Sequence, residues 1–194
     1  NKHKIENLIH LAAFIDSAES VMKPKIYMKN NFELTKKILM EIPKTTIKRF
    51  LFASTAAVYG NSKKKKISED SLKEPKSPYG ISKLKSEIAI QKIFKKSKIK
   101  YSILRLFNVA GANPVYKLGP YNSKYNHIFN KLIRNKKFKI YGTNYNTFDG
   151  TAVRDYVHPE DVAESFYKSY KFMVKNNKNE IFNCGSGNAF SVKN

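Results

Sequence analysis

Tyr79 and Lys83 stand four residues apart in SPYGISK (77–83). On a helix that interval puts both side chains on one face. A free phenol, with a pKa near ~10, is a poor base at neutral pH, and a neighbouring ammonium favours its phenolate. With a Ser or Thr hydroxyl close by, such a pair can take a proton from a substrate hydroxyl and return it. Chance also supplies the pattern. Twelve tyrosines among abundant lysines predict about two Tyr-x-x-x-Lys matches at random. Three occur: Tyr59/Lys63, Tyr79/Lys83 and Tyr167/Lys171. Tyr59 is followed by Gly-Asn-Ser, which breaks a helix, and no pair of strand-end hydroxyls precedes Tyr167 at similar spacing. Only Tyr79/Lys83 follows an apolar strand ending in hydroxyls, Ser54-Thr55, and opens a predicted helix. On spacing and context two readings stand: a catalytic pair, or a helix-start tyrosine packed on the sheet beside a surface lysine.

The elements that must position this pair are legible in outline. NLIHLAA (7–13) is a short apolar run expected of a parallel strand covered on both faces. Pro24 opens a helical stretch to about Ile42, with Phe32, Ile38, Leu39 and Ile42 as a broken apolar stripe. RFLFAST (49–55) is a second buried strand, and 58–71 is a polar loop containing the lysine run 63–66. A helix is expected over 77–96, capped by Ser77, with Pro78 in its first turn and Ile81, Leu84, Ile88 and Phe94 on its apolar face. KYSILRLFNVAG (100–111) is a third strand, and one further helix is clear near 159–174. Strand alternating with helix is the pattern of a parallel α/β sheet, whose ligands sit beyond the carboxyl ends of the strands. Those ends are Ala12–Ala13, Ser54–Thr55 and Phe107–Asn108. After Gly111 the sequence turns irregular and rich in Asn, Tyr and Gly, marking a second lobe. We therefore expect residues 1–112 to form one domain and 113–194 to form mainly a smaller lobe, with segments returning to the first.

Composition narrows the classes. A hydrophobic content of 41% over 194 residues suffices for a packed core. No apolar run nears the ~18 residues of a membrane span. Cys184 is the single cysteine, which excludes an internal disulfide and a multi-cysteine zinc site and makes a reducing cytosol the expected location. The formal net charge of +22 raises nucleic acid as a partner. Only four of the 37 basic residues are arginine, the residue with the planar fork for phosphate, and the lysines are spread along the whole chain. A solvated basic surface is the expectation, with no nucleic-acid and no membrane partner.

Five blocks in order, ASTAAVYG (53–60), SPYGISK (77–83), LRLFNVAGAN (104–113), DGTAVRDYVHPEDVA (149–163) and FNCGSG (182–187), resemble the extended short-chain dehydrogenase/reductase family, and within it the UDP-glucose 4-epimerases. The resemblance covers the chain from about Leu8 to its last residues. It implies a Rossmann-like parallel sheet with flanking helices, bound NAD, a UDP-sugar substrate and a homodimer at full length. By motif, Tyr79 would exchange the proton of the sugar's 4-hydroxyl. Lys83 would hold the nicotinamide ribose and favour the phenolate, and Thr55 would bridge the 4-hydroxyl with Ser54 beside it. Leu11, Ala12, Ala13, Asn30 and Phe107 would line the cofactor. Asn108, His127, Ile140, Tyr141 and Arg154 would meet the substrate, Arg154 clamping its diphosphate.

Related 4,6-dehydratases carry acids after the strand-end hydroxyl, where this chain has Ala56 and Ala57, so epimerisation is favoured over elimination. The family's glycine-rich turn for the pyrophosphate does not occur here, and Gly60 is the first glycine. The expectation is an internal segment of an epimerase. Ile15 and Leu34 also depart from the family's usual polar residue and glycine. The alternatives are an N-acetylhexosamine 4-epimerase, a decarboxylase of the same family, or a non-catalytic basic module that binds RNA.

Overall fold

A computed structural model describes residues 4–62, 66–117, 119, 140 and 142–193. They fall into two compact units, Asn1–Leu106 with Ser165–Asn183, and Phe107–Glu164 with Cys184–Asn194.

The first unit is built on strands β1 (Asn7–His10), β2 (Arg49–Thr55) and β3 (Lys100–Leu106). They run parallel, with His10 beside Phe52, Ser54 beside Arg105, and Thr55 beside Leu106. The alternation of a strand then sorts the side chains. Phe50 and Phe52 of β2 and Ile103 of β3 enter one core with Leu39, Ile42, Ile90, Phe94 and Ile99. Two residues further along the same faces come Ser54 and Arg105, so the apolar core ends in polar groups as the strands approach their carboxyl ends.

Helix α1 (Ser17–Met22) is capped by the Asp16 side chain. Pro24 starts α2 (Pro24–Tyr27), which passes through a π-helical turn (Met28–Glu33) into α3 (Leu34–Glu41). The expected stretch 24–42 is thus helical, with a widened turn inside it. Helix α4 (Pro78–Phe94) has Ser77 as its N-cap, the hydroxyl accepting from Gly80 N at 3.1 Å, and Pro78 in the first turn.

Three expectations need correcting. The first strand ends at His10 instead of Ala13, because Leu11 and Ala12 leave the sheet and stand exposed. It is not covered on both faces: Ile9 is half exposed. The buried face of α4 is not the apolar row of Leu84 and Ile88. Ser82, Lys83, Ser86 and Glu87 are buried with Gly80, Ile90 and Phe94, while Ile88 is 54% exposed. The reason lies in what this face meets, which is polar: Ser86 Oγ donates to Asn31 O at 2.9 Å, and Lys83 Nζ donates to Ala53 O at 2.7 Å.

The second unit contains two short strand pairs and the start of a long helix. Strand β4 (Asn108–Val109) pairs in parallel with β6 (Tyr156–Val157). Strand β5 (Val153–Arg154) pairs antiparallel with β8 (Phe190–Ser191). Helix α5 (Pro159–Asn176) begins in this unit and ends in the first, and β7 (Glu180–Cys184) completes the sheet order β1-β2-β3-β7. Among the described residues no helix is long and apolar enough to cross a membrane, and no group of three His, Cys, Asp or Glu side chains could hold a metal ion.

Candidate active site

Strand β2 ends in Ser54-Thr55 and turns at once into a short 3-10 helix (Ala56–Tyr59), whose Ala57 N donates to Thr55 Oγ1 at 3.2 Å. Helix α4 starts against that turn. A Cβ on Gly80 would lie 2.8 Å from Ala57 O and 3.0 Å from Pro75 Cβ, so only a glycine lets the helix come this close. Tyr79 N donates to Ser20 Oγ at 3.2 Å, which gives one of the unpaired amides of the helix start a partner on α1. Asn31, almost wholly buried, uses its amide to hold both Phe14 N and Phe14 O, and it donates to Ser82 Oγ at 3.3 Å. Through Ser20 and Asn31, the elements after β1 grip the first turns of α4.

Three residues of α4, each one turn beyond the last, meet three consecutive residues of β2. The Tyr79 phenol has the Thr55 hydroxyl as its polar neighbour, near enough to favour the phenolate. Lys83 Nζ donates to Ala53 O at 2.7 Å and stands 4.6 Å from the centre of the Phe52 ring. Glu87 accepts a hydrogen bond from Ser54 Oγ. Glu87 also receives Arg105 in a forked ion pair, Nε at 3.1 Å and 3.3 Å from its two oxygens and Nη2 at 2.8 Å. Both partners are closed off from solvent, at 0% and 1% exposure. Arg105 Nη1 is spent on Tyr59 Oη and Glu69 O, each at 2.8 Å, and Tyr59 Oη donates to Asn183 Oδ1 at 2.6 Å. A buried ion pair persists only when its remaining polar groups are satisfied, as they are here.

Electrostatics set two of these groups apart. Burial pushes the Tyr79 phenol above its ordinary pKa, and the hydrogen bond from Thr55 works in the opposite direction. Burial brings the Lys83 ammonium down to about 8, with the negative charge of Glu87 opposing the drop. Burial, and then the Lys83 charge, lower His10, whose Nε2 lies 2.9 Å from Thr35 Oγ1. Because Lys83 has a folded-state pKa below its unfolded value, the folded chain holds fewer protons than the unfolded one between about pH 8 and 10.5. Stability therefore rises with pH through that window. The stability difference between the native protein and Lys83→Met, read by urea unfolding from pH 7 to 10, should shift in favour of the native protein by up to about 3 kcal/mol. A flat difference would show that Lys83 does not titrate there.

The other two Tyr-x-x-x-Lys matches are settled by their surroundings. Tyr59 is committed to Arg105 and Asn183, and Lys63 lies outside the described residues. Tyr167 is 59% exposed, with the Lys171 ammonium 5.2 Å from its ring centre, an ordinary surface cation–π pair.

Of the residues singled out in the sequence, Thr55, Tyr79 and Lys83 come together in the first unit, where Ser54 turns its hydroxyl to Glu87. Leu11, Ala12 and Ala13 follow β1 at the same carboxyl edge, with Leu11 60% exposed. Asn30 donates to Asn31 Oδ1 at 3.0 Å. Phe107, Asn108, Ile140 and Arg154 belong to the second unit. There Asn108 Nδ2 donates to Asp155 O at 3.0 Å, and the exposed Arg154 Nη1 donates to Val153 O at 2.9 Å. The Asp155 carboxylate is occupied by Ser186 N, Ser186 Oγ and Gly187 N. His127 and Tyr141 lie outside the described residues.

Sequence reasoning missed Glu87, Arg105, Ser20 and Asn31. Two signals were there to read: Glu87 continues the four-residue stripe of Tyr79 and Lys83, and Arg105 interrupts an apolar strand, where a charge needs a buried partner.

The NAD dependent epimerase/dehydratase family matches residues 1–185. A UDP-glucose 4-epimerase of Lactobacillus helveticus is 37% identical over 193 residues, covering 97% of this chain and 58% of that protein. The crystal structure of UDP-glucose 4-epimerase from Brucella ovis in complex with NAD superposes with a TM-score of 0.89 at 30% identity, covering 95% of this chain and 58% of that one. The UDP-Glc/GlcNAc 4-epimerase of Campylobacter jejuni superposes with a TM-score of 0.80 at 36% identity, covering 99% of this chain and 60% of that one. The chain thus spans somewhat more than half the length of the relatives it matches, and its parallel sheet with flanking helices is the Rossmann-like arrangement of those structures.

Proposed function

The chain belongs to the NAD dependent epimerase/dehydratase family, and on that premise we propose that the whole protein interconverts UDP-galactose and UDP-glucose at carbon 4, retaining NAD throughout. One observation carries the reading: the Tyr79 phenol has the Thr55 hydroxyl as its neighbour, and the Lys83 ammonium, one helical turn along, is buried against the same strand end. Tyr79 Oη takes the proton of the sugar's 4-hydroxyl and gives it back. Thr55, beside the phenol, holds the same sugar oxygen. Lys83 opposes the effect of burial, which would otherwise keep the phenol protonated. Ala56 and Ala57 place no carboxylic acid at this strand end, where elimination of water would call for one.

The residues present fit NAD. The exposed apolar Leu11 and the small Ala12 and Ala13 at the carboxyl edge of the sheet suit one face of a flat ring system. Asn30, Lys83 and Phe107 are proposed to hold the rest, with Ser54 contributing its backbone because its hydroxyl is committed to Glu87. When bound, NAD supplies the reversible hydride exchange at carbon 4. Asn108, Ile140 and Arg154, with His127 and Tyr141, are proposed to hold the UDP-sugar, Arg154 by a fork matched to a diphosphate.

Incubating the whole protein with UDP-galactose, with no NAD added, is expected to yield UDP-glucose. A preparation that carries NAD and converts none of the sugar would overturn the reading.

A further inference from the structure

We propose that Glu87 is a positioning residue of this site: clasped by Arg105 and by the Ser54 hydroxyl, it fixes the strand end that bears Thr55 against α4 and, by its charge one turn from Lys83, keeps that amine protonated. The inference rests on the proposed reaction, in which Tyr79 needs a cation beside it. Glu87 itself touches none of the reacting groups assigned above.

The geometry carries the argument. The Tyr79–Lys83–Glu87 stripe faces the tripeptide Ala53-Ser54-Thr55: Lys83 bonds Ala53, Glu87 bonds Ser54, and Tyr79 has Thr55 as its neighbour. Register explains why the third contact is two-sided. Ser54 and Arg105 are lateral neighbours in the sheet and share one face, so a single carboxylate on α4 receives both. Arg105 is anchored in turn through Tyr59 and Glu69. Thr55 therefore rests on a frame of full hydrogen bonds, in which a small displacement of Glu87 moves the residue beside it.

The titratable groups facing Lys83 are few. His10 approaches from β1, where burial keeps it toward its neutral form. Tyr79 and Glu87 flank Lys83 on its own helix. The π-helical turn presents Asn31, which carries no charge. Among the described residues Glu87 is thus the negative charge acting on Lys83, in keeping with the direction of its effect on that amine. A carboxylate that served only to hold the fold would leave the titration of Lys83 where it is.

The test follows the Lys83 ε-carbon by NMR in lysine-labelled protein, assigned through Lys83→Arg, and measures kcat and KM for UDP-galactose in parallel. In Glu87→Gln, which keeps the shape and loses the charge, the Lys83 midpoint should fall by about one pH unit. The alkaline side of the kcat profile should move with it, at little change in KM. In Ser54→Ala, which cuts the strand tether and leaves the ion pair whole, kcat should fall several-fold with the Lys83 midpoint in place. An unmoved midpoint in Glu87→Gln overturns the proposal. Should that variant not fold, an unchanged kcat in Ser54→Ala overturns it. Failure of the native protein to convert the sugar sinks the epimerase reading instead, and the Lys83 titration still decides whether Glu87 governs its charge.

Discussion

Tyr79→Phe is expected to lower the turnover of UDP-galactose by about 10³-fold, the scale on which a positioned proton-transfer group acts. The substitution removes one oxygen from a helix start whose backbone is held independently. Tyr79 N is bonded to Ser20, and the helix is capped by Ser77. The fold and bound NAD should therefore survive, and KM should change little, because the lost interaction belongs to the proton-transfer step. Steady-state kinetics with the absorbance of retained NAD as a control check this. A Phe variant keeping more than about a tenth of the activity would remove Tyr79 from the chemistry, since no general acid–base role is worth so little.

Arg105→Met should be the most destabilising single change in the first unit. It strands the Glu87 carboxylate at 0% exposure with only the Ser54 hydroxyl for company, and it deprives Tyr59 and the Glu69 carbonyl of their donor. Breaking one side of a buried ion pair costs about 3–5 kcal/mol. Adding Glu87→Met removes the stranded charge, so the double variant should be more stable than Arg105→Met alone, although it loses more groups. Urea unfolding of the four proteins closes the cycle. If the two substitutions simply add, Arg105 and Glu87 do not act as a pair.

How far the sequence led depended on which physical signals stay local. Thr55, Tyr79 and Lys83 were readable because strand alternation, a proline near the helix start and a four-residue interval all concern neighbours in the chain. Glu87, Arg105, Ser20 and Asn31 were not, since each acquires its meaning from a partner that only folding supplies. The helix α4 shows the failure well. Its apolar residues suggested that Leu84 and Ile88 would face inward, as they would against an apolar sheet. The sheet, however, changes character at Ser54 and Arg105, and the helix opposite changes with it, so a row of Ser, Lys, Ser and Glu is the buried one. In the same way the first strand was drawn too long, because Leu11 and Ala12, though apolar, leave the ladder after His10 and stand exposed at its carboxyl edge. The π-helical turn left no trace that periodicity could find, yet it lies where Asn31 reaches both Phe14 and Ser82.

The hydrogen bonds that join Ser20 and Asn31 with α4 span 59, 51 and 55 residues, and that separation has a kinetic consequence. Helix α4 can coil on its own within microseconds, but anchoring it means closing loops of half a hundred residues, which rewards the chain only after their entropy has been surrendered. The parallel pairings of β1 with β2 and of β2 with β3 close loops of similar length, so Tyr79 should reach its working orientation together with the sheet and not with its own helix. Newly made protein should therefore become competent only once the sheet has closed.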